Sequence, residues 1–120
     1  MRRKASNPMV KETLMKLAEI SREGNVVFWR PIIEAISSPN SRRPVVNVGK
    51  ISRFTKVNDV VLVPGKVLGD GVIDHPVTVG ALAASRSACE KVRAAGGSLL
   101  PLIEFAERYR DGSKVIVIGG

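Results

Sequence analysis

One cysteine and one histidine in 120 residues leave the chain with almost no soft-ligand chemistry. A lone Cys89 excludes an intramolecular disulfide and any cysteine-based zinc site, and a lone His75 excludes a His-rich metal centre. Long apolar runs are missing as well. Nothing approaches the roughly 20 residues a membrane helix needs, and the longest candidate, residues 57–69, is cut by Asp59, Pro64 and Lys66. Arg2, Arg3 and Lys4 have no apolar stretch behind them, so the start does not read as a secretory signal. These absences lead to the expectation of a soluble, intracellular protein. Aromatics are scarce: Phe28, Trp29, Phe54, Phe105 and Tyr109 are the five rings. Readers of single-stranded nucleic acid use rows of rings as stacking platforms, which five scattered aromatics cannot supply.

Acids are absent from two windows. Residues 1–11 carry Arg2, Arg3, Lys4 and Lys11, and residues 35–58 carry Arg42, Arg43, Lys50, Arg53 and Lys56, with no Asp or Glu in either. These nine cations account for the whole excess of a chain whose net charge is +8. Residues 12–34 hold three bases against four acids, and residues 59–120 seven of each. Segregated positive charge repels itself and is the electrostatic footprint of a polyanion binder, whereas a solubilising surface would intersperse both signs. The rest is an ordinary globular mixture, 44% apolar and 25% charged, of a size for one domain with one core.

Periodicity divides the chain into parts. Residues 1–7 read as a basic arm with nothing to bury. Asn7-Pro8 supplies an N-cap and a first-position proline, and Val10, Leu14, Leu17 and Ile20 or Ser21 then recur at helical spacing up to Gly24, predicting a helix over 8–23. Asn25 can cap a second helix over 26–37 with Trp29, Ile32, Ile33 and Ile36 as its apolar stripe. Pro31 inside it predicts a kink or a restart. Residues 37–44 are turn chemistry and read as an exposed basic loop. From Pro44 the period shortens: 45–48, 59–63, 77–84 and 114–120 are β-branched, short and bounded by breakers, so they read as strands. Ser87 and Glu90 fit a capping box for a helix over 85–95 that places Ala88, Val92 and Ala95 on one face and ends at Gly96-Gly97. A short helix is expected at 101–109. The expected fold class is α/β: an N-terminal helical pair (8–37) laid on a compact sheet-and-helix core (38–120).

Catalytic patterns fare poorly. Gly49-Lys50 lacks the hydroxyl residue and the earlier glycine of a phosphate-binding P-loop. The segment 64–71 has three glycines after a strand, but no helix follows, so it is not a dinucleotide fingerprint. Its glycines read as turn and close-approach positions, with Lys66 at the tip, either solvated or reaching a phosphate. His75 between Asp74 and Pro76 reads as an exposed turn histidine, because sequence neighbours do not ordinarily face each other. Cys89 reads as a packed thiol, Trp29 as core, and Asp59, Asp70 and Asp74 as the acids that loops collect, with a shared Mg²⁺ the weaker alternative. The remaining mode is phosphate and 2′-OH contact to a folded RNA.

The runs VNVGKISR (46–53), VVLVPGKVLGDG (60–71) and VTVGALAASRSACEKVRAAGG (77–97) resemble the large-subunit ribosomal protein eighteen-e family of archaea and eukaryotes, a relative of bacterial large-subunit protein fifteen. NVVFWRPI (25–32) and the ending KVIVIGG fit it too, and the tail-less form resembles archaeal members. The resemblance implies irregular β-β-α units behind a helical extension. It also implies a structural ribosomal protein with no catalysis and no cofactor, partnered by large-subunit ribosomal RNA and neighbouring ribosomal proteins, with no membrane and no dedicated homo-oligomer. Arg42, Arg43, the segment from Lys50 to Arg53, and Lys66 are implied to face RNA. Charge segregation adds Arg2, Arg3, Lys4, Lys11 and Lys56. Gly80 and Cys89 stand where the family leads one to expect alanine, exchanges expected to leave the fold untroubled, and Pro31 is less expected. Two other readings stay open: an enzyme that cradles a small phosphorylated molecule in the Gly65–Gly71 loop, and an architectural DNA binder.

Overall fold

The computed structural model describes residues 8–119. The two N-terminal helices form where the apolar spacing places them, α1 at Pro8–Glu23 and α2 at Val26–Ser37. α1 buries Val10, Thr13, Leu17, Ile20 and Ser21, with Leu14 partly buried against the same core; Thr13 donates its hydroxyl to the Met9 carbonyl at 2.9 Å. The Asn25 side chain caps α2 by accepting from the Phe28 N–H at 3.1 Å. α2 runs through Pro31 as one element and does not restart there. Pro31 sits on the exposed flank, as does Val27, whose carbonyl loses its partner. Buried Trp29, Ile32 and Ile36 hold the helix on both sides of the proline.

Five strands follow: β1 Val45–Asn47, β2 Asp59–Leu68, β3 Val77–Ala84, β4 Ser98–Pro101 and β5 Val115–Val117. Every pairing is parallel. β2 is the axis. β3 pairs along one side of it, while β5 (on Val60–Leu62) and β1 (on Lys66–Leu68) share the other in tandem. Between them the chain forms α3 (Val48–Arg53), α4 (Arg86–Ala94) and α5 (Leu102–Arg108). β2-β3-α4 forms one β-β-α unit. α3, α4 and the β2–β3 connection cover one sheet face, over a core of Val61, Val63, Val67, Val79, Ile51, Ala88 and Val92. α1, α2 and α5 cover the other, where Leu62 meets Leu17, Ile20, Trp29 and Phe105. The helical pair is thus one layer of the same body. The turn after α5 is stitched to it by Trp29 Nε1 donating to the Arg110 carbonyl at 2.7 Å and Asn25 Nδ2 to the Asp111 carbonyl at 3.2 Å.

Several local expectations are corrected. β2 does not stop at Val63 but continues to Leu68, with its register shifting between Val63 and Lys66. Pro64 has no N–H for the ladder, and such residues are tolerated where pairing is irregular. Gly65 lets the Pro44 carbonyl approach so closely that any Cβ would collide with it, and the Lys66 N–H donates to that carbonyl at 3.0 Å. Lys66 therefore lies in a strand, not at a turn tip. α4 is capped by Ser85, whose hydroxyl accepts from the Ala88 N–H at 3.2 Å; Ser87 instead packs against Gly69, and no Ser87/Glu90 box forms. α3, unforeseen from VGKISR with its weak helix formers, is held by Val48 and Ile51 entering the core three residues apart. β4 was equally unforeseen: four residues long, it exists through its pairing with β3.

Gly80 is not an indifferent exchange for alanine. Its α-carbon faces the Phe105 ring, and an added methyl would overlap it. Gly80→Ala is expected to destabilise the fold by about 1–3 kcal/mol in urea unfolding, the usual cost of overpacking. In a Phe105→Ala background the same substitution should cost less. Equal costs in the two backgrounds would mean that the ring does not enforce the glycine.

Candidate nucleic-acid interface

The cations separate by whether an acid neutralises them. Lys16 lies 3.5 Å from both Glu19 and Glu107, Arg108 is 3.0 Å from Glu104, and Arg110 is 2.7 Å from Glu23. These exposed pairs are each worth under about 1 kcal/mol; they neutralise one cation of α1, one of α5 and one of the turn after it, while Arg22 on α1, Arg30 on α2 and Lys114 before β5 enter no described ion pair. Among the described residues, no ion pair engages Lys11, Arg42, Lys50, Arg53, Lys56 or Lys66.

Most of these unpaired cations are carried by the chain running into and out of β1. Arg42 ends a single 3₁₀ turn (Asn40–Arg42), exposed, and Arg43 follows half-buried. Arg43 Nε donates to the Ile36 carbonyl at 3.1 Å. Its guanidinium therefore satisfies a carbonyl in the last turn of α2, where a cation also complements the helix dipole. Arg43 and Lys66, with Met9, Pro44, Val45 and Ala83, line an open concavity of about 320 Å³ beside the first turn of α1. Val45 and Lys66 are directly paired across β1 and β2, so the pleat presents both on the same exposed stretch of sheet. Lys50 and Arg53 stand on α3, in the opposite layer, and Lys56 in the turn after it. Lys11 is exposed on the outer side of α1 with Glu12 and Met15, away from the concavity. The structure thus brings Arg43 and Lys66 together, sets Arg42 beside them, and places Lys50, Arg53 and Lys56 as a second group on another face. Arg2, Arg3 and Lys4 lie outside the described residues.

α4 carries cations that chain-order counting concealed. Arg86 and Arg93 are exposed in the same layer as Lys50 and Arg53. The segment 59–120 sums to zero, and it does so on each side of the sheet: Arg108, Arg110 and Lys114 balance Glu104, Glu107 and Asp111 at α5 and beyond, so Arg86 and Arg93 stand out only as exposed side chains that no described ion pair engages. The alternation of Arg86, Glu90 and Arg93 with buried Ala88 and Val92 was the available signal. Lys91 is differently committed: its ammonium donates to the carbonyls of Gly69 at 2.5 Å and Gly71 at 2.7 Å.

That contact bears on the glycine loop. Gly71 adopts φ +92 and lies so close to Gly49 that a Cβ on it would come within 2.7 Å of the Gly49 α-carbon. The Gly49 N–H donates to the Asp70 carbonyl at 3.0 Å. With Gly69 against Ser87, the segment is packed between α3 and α4, where its glycines serve close approach. Those close approaches account for the glycines without a bound phosphate.

His75 is not the exposed turn residue expected. Its side chain is 13% exposed, Nδ1 lies 2.8 Å from Asp74 Oδ1, and Nε2 lies 2.8 Å from the Thr55 hydroxyl. A carboxylate only accepts, so Nδ1 is the donor in its contact with Asp74. The hydrogen bond from His75 holds the exposed Asp74 carboxyl below its ordinary value, against the opposing effect of desolvation. The arrangement fastens the end of α3 to the loop before β3. Cys89 is half-buried beside the α4 core face. Asp59, Asp70 and Asp74 do not converge: among the described residues, no group of three or more His, Cys, Asp or Glu side chains is placed to hold a metal ion. No described helix is long and apolar enough to cross a membrane.

A small parallel α/β sandwich, with a few surface ion pairs on its α1–α5 side and two groups of cations outside those pairs, one beside β1 and one at α3, is the kind of domain these observations define. The chain belongs to the family of ribosomal proteins that includes 50S-L15 and 50S-L18e, whose model matches residues 13–100. It is similar to the large ribosomal subunit protein eL18 of Sulfurisphaera tokodaii, 42% identical over 105 residues that cover 88% of this chain and 89% of that protein. The proteins of the same name from Methanopyrus kandleri (38% over 118 residues, 94% and 93% coverage) and Methanococcus maripaludis (36% over 114 residues, 95% of each) are similar throughout as well.

Arg42 and Arg43 should behave differently on substitution. Arg43→Ala is expected to cost about 1–2 kcal/mol in urea unfolding, because the Ile36 carbonyl loses its donor. Arg42→Ala should stay within about 0.5 kcal/mol of the parent, as exposed sites do. Equal costs would mean that the α2 contact contributes nothing.

Proposed function

We propose that this protein is a structural component of the large ribosomal subunit, in the cytoplasm, acting as one ribosomal-protein domain. It binds and stabilises folded ribosomal RNA through Lys and Arg contacts to phosphate. The observation that carries this reading is the run of Arg42, Lys50, Arg53 and Lys56, without acidic partners among the described residues, along the acid-free segment 35–58 in a member of a ribosomal-protein family. Lys16, Arg108 and Arg110 sit opposite carboxylates, while Arg42, Lys50, Arg53 and Lys66 around β1 meet none among the described residues. Cations left without internal acids on an ordered scaffold are complementary to a phosphate backbone.

Two groups of contacts follow. Arg42, Arg43 and Lys66 form one, beside the first turn of α1, with Arg2, Arg3, Lys4 and Lys11 reaching RNA from the N-terminal side. Lys50, Arg53 and Lys56 form the second, extended by Arg86 and Arg93. The faces bearing paired charge are left for neighbouring ribosomal proteins. The protein performs no catalysis and needs no cofactor; its chemistry is neutralisation, with counterions released from the RNA as each phosphate is covered.

Binding to large-subunit ribosomal RNA is expected to weaken steeply with salt, the log–log slope changing by about 0.7–0.9 for each phosphate contact. Lys66→Ala should reduce that slope by about one contact without altering stability. The unaltered chain should co-sediment with large subunits on a sucrose gradient. A flat salt response, or failure to travel with the subunit, would remove the proposal.

A further inference from the structure

Four of the five aromatic rings are spent on the fold. Trp29 and Phe105 are fully buried; Phe28 packs edge-on against Trp29 with centroids 4.9 Å apart, and Tyr109 against Phe105 at 4.8 Å. Phe54 is the exception, with 60% of its surface exposed. A single exposed apolar residue is unremarkable on a mobile loop, but this one is mounted on a braced turn. The Phe54 N–H donates to the carbonyls of Lys50 and Ile51, both at 3.2 Å. The next residue, Thr55, is buried, its hydroxyl donating to the Ile51 carbonyl at 2.7 Å and meeting His75 Nε2 at 2.8 Å. Beyond it, the Lys56 N–H donates to Asp59 Oδ2 at 2.8 Å and the Asn58 N–H to the Pro76 carbonyl at 2.7 Å. A ring whose backbone is fixed on both sides is held out in solvent with little conformational entropy left to lose on contact.

The charge around the ring selects its partner. Arg53 precedes it and Lys56 follows two residues later, both exposed and neither paired with an acid among the described residues. Of the acids near this turn, Asp59 accepts the Lys56 N–H and Asp74 accepts from His75. A flat apolar face between two free cations is complementary to a group that is itself a π-face between two anions, which is one nucleotide with its flanking phosphates.

We propose that Phe54 is a stacking platform for one unpaired base of the bound RNA, with Arg53 and Lys56 holding the phosphates on either side. One ring serves one base, so the partner is a bulged or turned-out nucleotide in otherwise folded RNA and not a single-stranded tract. The inference rests on the RNA-binding reading above and adds to it the one contact that is not electrostatic.

The two can be separated by measuring binding of the full chain to transcribed large-subunit ribosomal RNA across a salt series. Phe54→Leu should weaken binding about five- to hundredfold at every salt concentration and leave the log–log slope unchanged, because no phosphate contact is lost. Phe54→Trp should keep the parent affinity, and its added indole should be quenched by RNA, whereas the buried Trp29 of the parent is not. If Phe54→Leu binds as the parent does while the parent keeps its steep salt dependence, the stacking proposal is wrong and the RNA reading stands. If Phe54→Leu binds free RNA normally but no longer travels with large subunits, Phe54 meets a protein and the proposal is equally wrong. A parent chain that shows no salt-dependent binding takes both down.

Discussion

β2 carries the constraint on which the rest depends. It is hydrogen-bonded on both sides and covered on both faces, with Val61 and Val63 turned to one core and Leu62 to the other. Parallel strands need covering on both faces because their crossovers run over them. Here that covering comes from two unlike layers: α1, α2 and α5 on one side, and α3, α4 and a helix-free connection on the other. Pro64-Gly65 interrupts the ladder in mid-strand, and the Pro44 carbonyl takes up the Lys66 N–H. That one contact joins the start of β1 to the centre of the sheet and turns Lys66 outward beside Arg43.

Close approach is the second theme. Gly49 lies against Gly71, Gly69 against Ser87 and Gly80 against Phe105, so the layers sit closer than side chains would permit. The connection between β2 and β3 takes the place of a crossover helix only because it can be pressed between α3 and α4, and Lys91 closes it by binding two of its carbonyls. A glycine-rich segment after a strand resembles a phosphate loop in sequence. In this fold the same glycines are consumed by packing.

Charge is divided along the same lines. Glu23, Glu104 and Glu107 neutralise Arg110, Arg108 and Lys16 on the helical face. The chain from residue 35 to residue 58, which carries β1, has no acids of its own, and no described acid forms an ion pair with Arg42, Lys50, Arg53 or Lys56. Arg43 is the mixed case, serving the end of α2 through Nε while lining the concavity that it shares with Lys66. The turn after α3 is braced by Thr55, His75 and Asp59, so a positively charged surface and a fixed aromatic ring occur together without loss of order.

Local pattern was enough for much of this. The bounds of α1 and α2, the Asn25 cap, the core role of Trp29, the strand at 77–84, the helix ending at Gly96-Gly97 and the two acid-free windows depend on spacing, capping and composition, all written in consecutive residues. Tertiary structure decided the remainder. α3 and β4 form because neighbours bury or pair them, β2 extends through a proline because Pro44 is opposite, and His75 is enclosed because Thr55 lies over it. The grouping of Arg43 with Lys66, and of Arg86 and Arg93 with Lys50 and Arg53, joins residues far apart in the chain that parallel crossovers return to common faces. Charge is counted along a sequence but felt through space, so composition could establish that cations were in excess, while only the folded layers could separate those left free from those already matched.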